Sequence, residues 1–225
     1  MVAPAAVLFD IDGTLIDSGG AGARSWQRAF QEVCGIPGDI THFSEVGMTD
    51  PVVARQTFVG TLGREPRDGE LATLIMAYVR ALPEEVAGSE GYRVLPGVVD
   101  LLGQLSASST MLGLVSGNVE GAARIKIERA HLNRYFPFGG YATDSDDRAE
   151  LTRAAITRAG TLRGHRLDPG GILVVGDTPR DVEAAHGAGA VSVAVATGEY
   201  TVAQLRAAGA DHVLADLTAP FPSLP

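Results

Sequence analysis

Four short apolar runs constrain this chain most: Ala5 to Phe9, Met111 to Val115, Ile172 to Val175 and Val191 to Val195. Each is too short for a helix, and several are rich in valine. None shows a polar face, so both faces of each run are buried, as in strands of a parallel sheet covered by helices. Helical segments lie between and beyond them, at Gly97 to Ala107, Val119 to Ala130, Ala149 to Ala159, Arg180 to Ala188 and Val202 to Ala208. Alternation of this kind predicts an α/β fold, a doubly wound, Rossmann-like parallel sheet.

One interval interrupts the alternation. From Asp17 to about Arg93 no strand is evident, while Ala23 to Val33, Pro51 to Leu62 and Glu70 to Val86 read as helices. A single crossover does not need that much chain. The expectation is a core of residues 1–16 and 94–225 with a small helical cap domain inserted at 17–93, within a length of 225 residues. Its borders, Asp17-Ser18-Gly19-Gly20 and Gly88-Ser89-Glu90-Gly91, have the small, glycine-bearing character of hinges.

Composition narrows the function. A net charge of -9 and the lack of any basic tract argue against nucleic acid and anionic membranes as partners. The single cysteine, Cys34, permits no internal disulfide and no thiolate metal site, and packs as a small apolar side chain. There is no run of 18 apolar residues, and Met1-Val2-Ala3-Pro4 opens no export signal. The reading is a cytoplasmic monomer or homodimer.

Chemistry concentrates where the apolar runs end, because ligands of a doubly wound sheet sit outside the carboxyl ends of its strands. The first run ends in Asp10-Ile11-Asp12-Gly13-Thr14. Two acids this close repel each other, and a divalent cation relieves them; hard carboxylate oxygens suit magnesium. The third run ends in Gly176-Asp177-Thr178-Pro179-Arg180-Asp181, which supplies two more acids or, read plainly, a helix cap. The second ends in Ser116-Gly117-Asn118 before a helix, which is either a turn or an anion site of hydroxyl, amide side chain and free backbone N–H groups.

Together, DIDGTL, VSGN and GDTPRD, in this order and each after an apolar run, resemble the haloacid dehalogenase superfamily of aspartate-nucleophile phosphohydrolases, and the helical insertion resembles its C1-type cap. The resemblance implies that Asp10 attacks phosphorus, and that Asp12 acts as general acid and then general base with Thr14 orienting it. It implies that Ser116 and Gly117 hold the phosphoryl group, and that Mg2+ is bound by Asp10, the Asp12 carbonyl and Asp177, with Asp181 assisting. Thr14, Ser116, Gly117 and Asn118 are therefore the candidate phosphate-binding residues.

The family's usual lysine at the start of the helix preceding the fourth strand is absent; Asp147-Arg148-Ala149 stands there, so Arg148 is the first candidate for the catalytic cation. Lys126, the chain's only lysine, is the rival, and its place two turns into a helix predicts a solvated face. An acid at position 12 favours phosphoryl chemistry over dehalogenation, and a cap without lysine disfavours phosphonate cleavage through an imine.

Within the cap, the stretch from His42 to Asp50 resembles the substrate loop of phosphoglycolate-phosphatase-like and phosphomutase-like members, with Gly47 and Thr49 as contacts. Thr49-Asp50-Pro51 equally reads as a helix cap. Arg24 and Arg55 read as solvated, and Trp26 and Phe30 as cap core. The function expected is a Mg2+-dependent phosphatase for a small phosphorylated metabolite. The alternatives are a phosphomutase of the same superfamily and a non-catalytic phosphoryl-binding protein.

Overall fold

The computed structural model describes residues 3–43 and 45–224. Six parallel strands form the central sheet: β1 (Ala6–Phe9), β4 (Met111–Ser116), β5 (Phe138–Tyr141), β6 (Ile172–Gly176), β7 (Val191–Val195) and β8 (His212–Leu214), in the order β5-β4-β1-β6-β7-β8. β2 (Ile16–Ser18) and β3 (Tyr92–Val94) pair antiparallel as a separate ribbon. The core helices are α4 (Val98–Ser106), α5 (Glu120–Glu128), α6 (Arg148–Arg163), α7 (Pro179–Gly187) and α8 (Val202–Ala207), and α1 (Ala21–Cys34), α2 (Asp50–Leu62) and α3 (Glu70–Gly88) fill the interval between β2 and β3.

The α/β expectation and its four strands hold. The sheet is covered on both faces by separate apolar clusters, one holding Val7 and Phe9 and the other Ala6 and Leu8, which is why β1 has no polar face. The ribbon corrects the reading that 17–93 contains no strand. Asp17 and Ser18 continue β2, Arg93 pairs with Asp17, and Arg93 Nη2 lies 2.7 Å from Asp17 Oδ2. Two further strands, β5 and β8, also escape a reading based on apolar runs. β5 is Phe-Gly-Gly-Tyr, and a Cβ at Gly140 would overlap the backbone of Leu151 in α6. Glycine there serves close helix-on-strand packing rather than a turn.

The three inserted helices have an apolar cluster of their own, built from Trp26, Phe30, Phe58, Leu74, Tyr78 and Leu82 among others, and joined by Val119 and Ala122 at the start of α5. Trp26 and Tyr78 stack at 4.1 Å with an interplanar angle of 3°, a pair worth about 1 kcal/mol beyond area burial. Trp26 and Phe30 are core, as expected. Cys34 is only half-buried, so it is a border residue of this cluster rather than a fully packed one. Among the described residues no helix is long and apolar enough to cross a membrane.

Candidate functional site

β1 lies between β4 and β6, with Phe9 opposite Leu114 on one side and Val175 on the other. The connections run to one side of β1 first and to the other later, so the sheet order reverses at this strand and leaves a crevice at its carboxyl end. The register delivers Asp10, Ser116 and Asp177 to that one edge. Gly13, at φ 78°, turns the chain straight after the acids, and a Cβ there would overlap the Asp177 carboxylate. The crevice opens into a cavity of about 610 Å3 shared with the inserted helices.

Asp10, Asp177 and Asp181 bring carboxylate oxygens within 4.8 Å of one another, all buried. Burial raises the pKa of Asp10, and Asp181 and Asp12 add to the rise while Arg148 opposes it. Burial also raises Asp177, helped by Asp181 and Asp10. With Asp10 and Asp177 resisting ionisation, this buried set of hard oxygens is chemically fitted to a divalent cation, which would favour their ionised forms. Asp181 has the least free oxygen: Oδ2 accepts from Thr178 N–H at 3.0 Å and Thr178 Oγ1 at 2.7 Å, and Oδ1 is taken by Arg148. It is therefore both the third-position partner in the capping box that Thr178 begins and an anchor for Arg148.

Arg148, at the first turn of α6, sends Nη2 to Asp181 and to within 3.6 Å of Asp10 Oδ1, while Nη1 donates to Gly47 O at 3.2 Å. Thr14 is fully buried, but its hydroxyl donates to Asp177 Oδ1 at 3.2 Å. The expectation that Thr14 orients Asp12 is corrected: in this geometry it steadies Asp177.

Lys126 overturns its expected place. It is 6% exposed rather than solvated. Its Nζ donates to Asp12 Oδ2 at 2.6 Å and to Asn118 Oδ1 at 2.7 Å. Asn118 Nδ2 completes the triangle, donating to the same Asp12 oxygen at 3.0 Å and to Ser116 Oγ at 2.8 Å. Arg148 and Lys126 are thus not rivals for one position. One faces Asp10 and the other Asp12.

Sequence reasoning passed over Asp50. It begins α2, and an acid before proline at a helix start looks like an ordinary cap. Yet it is buried, its N–H donates to Gly117 O at 2.7 Å, and its Oδ2 accepts from Val119 N–H at 2.8 Å. Burial pushes its carboxyl up to about 7, against the pull of Lys126 and the Val119 N–H. Gly47, at φ 83°, lines the cavity. Thr49 does not; it is buried at the helix N-cap with a hydroxyl that has no hydrogen-bond partner. Ser44, in the same loop, lies outside the described residues. Arg24 and Arg55 pair with Glu85 and Glu65 at the surface, as expected.

A family model for haloacid dehalogenase-like hydrolases matches residues 7–195. The chain is 29% identical over 219 residues to a phosphoglycolate phosphatase of Synechococcus elongatus, covering 93% of this chain and 92% of that one. It is 30% identical to a phosphoglycolate phosphatase of Rhodospirillum rubrum, covering 95% and 88%. The crystal structure of a predicted phosphoglycolate phosphatase from Haemophilus somnus superposes with a TM-score of 0.73 at 21% identity, covering 96% of both chains.

Proposed function

This chain belongs to the haloacid dehalogenase-like hydrolases, and we propose that it is a phosphatase that cleaves a small phosphomonoester through a phosphoenzyme on Asp10. The observation that carries the reading is the pair of acid–cation partnerships in one crevice, Asp10 with Arg148 and Asp12 with Lys126. The relatives named as phosphatases agree with it. The inserted helices, residues 17–93, form the cap over a core of 1–16 and 94–225, and the β2–β3 ribbon is its hinge.

The division of labour follows from what each carboxylate touches. Asp10 Oδ1 faces Arg148 and is the nucleophile; the guanidinium lowers the repulsion between an attacking carboxylate and an anionic phosphate. Asp12 has one oxygen fixed by Lys126 and Asn118, and its side chain is 39% exposed toward the cavity. That leaves Oδ1 to give a proton to the departing alkoxide and then take one from water. Ser116 and the Gly117 N–H hold the phosphoryl oxygens, with Asn118 bracing Ser116. Asp10, the Asp12 carbonyl and Asp177 would hold Mg2+, which supplies charge neutralisation for phosphoryl transfer.

The test is hydrolysis of a panel of phosphomonoesters with and without Mg2+, with Asp10→Asn as control. Turnover that needs Mg2+ and disappears in the variant is expected. Equal turnover by the variant, or none with any ester, would refute the proposal.

A further inference from the structure

The cavity above Asp10 and Asp12 carries information about the alcohol half of the ester. Its cap side combines apolar groups, Trp26, Val46 and Met48 among them, with the carboxylates of Glu45 and Asp50, and Glu199 adds another acid from the core. Among the described residues only two cations reach this cavity, Lys126 and Arg148. Both are already bonded to acids: Lys126 to Asp12, and Arg148 to Asp181 and Asp10. Arg180, the next arginine along the rim, is paired with Glu45 and lies outside the lining. Ser44, the loop residue that is not described, is uncharged. Beyond the phosphoryl site, an incoming anion meets apolar surface, Glu199 and a Glu45 already paired with Arg180, and no unpaired cation.

Resting on the phosphatase reading above, we propose that the substrate's alcohol carries no anionic group, its carbon skeleton lying against Trp26, Val46 and Met48. Phosphoglycolate, the ester in the relatives' names, ends in a carboxylate. A second anion placed in this partly desolvated cavity loses water without gaining a free cation and faces Glu199 as a like charge, and uncompensated charges of this kind are strong sources of discrimination. This chain therefore diverges in substrate from those relatives while keeping their reaction.

Three esters of equal length isolate the charge: 2-hydroxyethyl phosphate, phosphoethanolamine and phosphoglycolate, assayed with Mg2+ at pH 8 beside p-nitrophenyl phosphate. Each is also tested as a competitor of p-nitrophenyl phosphate hydrolysis, which reads affinity where turnover is slow. The hydroxyl or amine ester is expected to exceed phosphoglycolate in kcat/KM, and in competition, by at least about tenfold. Val46→Arg, which places a cation in the lining at a partly exposed position, is expected to shift that ratio toward phosphoglycolate by about tenfold. Phosphoglycolate equal to or better than the other two, with p-nitrophenyl phosphate hydrolysed, overturns the substrate proposal alone. No hydrolysis of p-nitrophenyl phosphate or of any ester overturns the phosphatase reading and this proposal with it.

Discussion

At the scale of single residues, Lys126 shows how a side chain's partner defines its role. It touches Asp12 and Asn118 but not Asp10, so its removal should hurt leaving-group protonation more than nucleophilic attack. Lys126→Met is expected to lower kcat by about 10²-fold for an alkyl phosphate and much less for p-nitrophenyl phosphate, whose leaving group needs no proton. Lys126→Arg should recover part of the loss. An equal loss on both substrates would mean a purely structural role. Arg148→Ala, by contrast, should lose most activity with either ester, because it leaves Asp10 and Asp181 without their shared cation. The acids, Ser116 and Arg148 were legible in the sequence because each stands at a strand end or helix start. Lys126 was not, since the helical period of α5 shows which residues share a face but not that α1 and α3 cover that face. Asp50 was hidden for a related reason: its hydrogen bonds reach a segment 67 to 69 residues away.

At the scale of elements, the sheet was readable where its strands are apolar on both faces and unreadable where packing replaces pattern. β5 is accepted as a strand because glycine lets α6 lie against it, and β8 is short and held at its entrance by side chains. There, Asp211 Oδ2 accepts from Ser192 N–H at 2.8 Å and Ser192 Oγ at 2.7 Å, with His186 Nε2 at 3.0 Å. Burial by itself would raise this carboxyl, but the Ser192 and His186 contacts win and hold it at about 2. A depressed acid contributes stability above its unfolded pKa of about 3.9, and the contribution is lost as pH falls through that value toward the folded one. Asp211→Ala should cost about 1 kcal/mol at pH 7, at the low end because the group is half exposed. In urea unfolding, the difference from the parent protein should shrink as pH falls from 5 toward 3; a constant difference would contradict it.

At the scale of the whole molecule, the acids of the crevice oppose the fold until a cation joins them. Asp10 and Asp177 have raised pKa values. The folded state therefore holds protons that the unfolded chain has released, and metal-free stability falls as pH rises from about 4 through the folded values. Mg2+ should reverse that trend. At a hundredfold excess over Kd the gain is about 2.7 kcal/mol, or about 5–10 °C in Tm for a chain of this size. Asp177→Asn should abolish most of the gain, and an undiminished Tm shift in that variant would place the cation elsewhere.

The position of β1 has a consequence for how the chain is made. Its neighbours begin at Met111 and Ile172, paired to the same Ala6. During synthesis the first strand emerges long before either partner, whereas α1, α2 and α3 can collapse on one another from local sequence alone. Ordered assembly of this kind makes the central strand wait longest for its second neighbour, from Ala6 to Ile172, and makes folding slow for the chain's length. An apolar strand left waiting is a target for chaperones and for misassociation with other chains. The same central place that brings the three strand ends to one edge makes the strand leading into Asp10 the one that waits longest for its partners during synthesis.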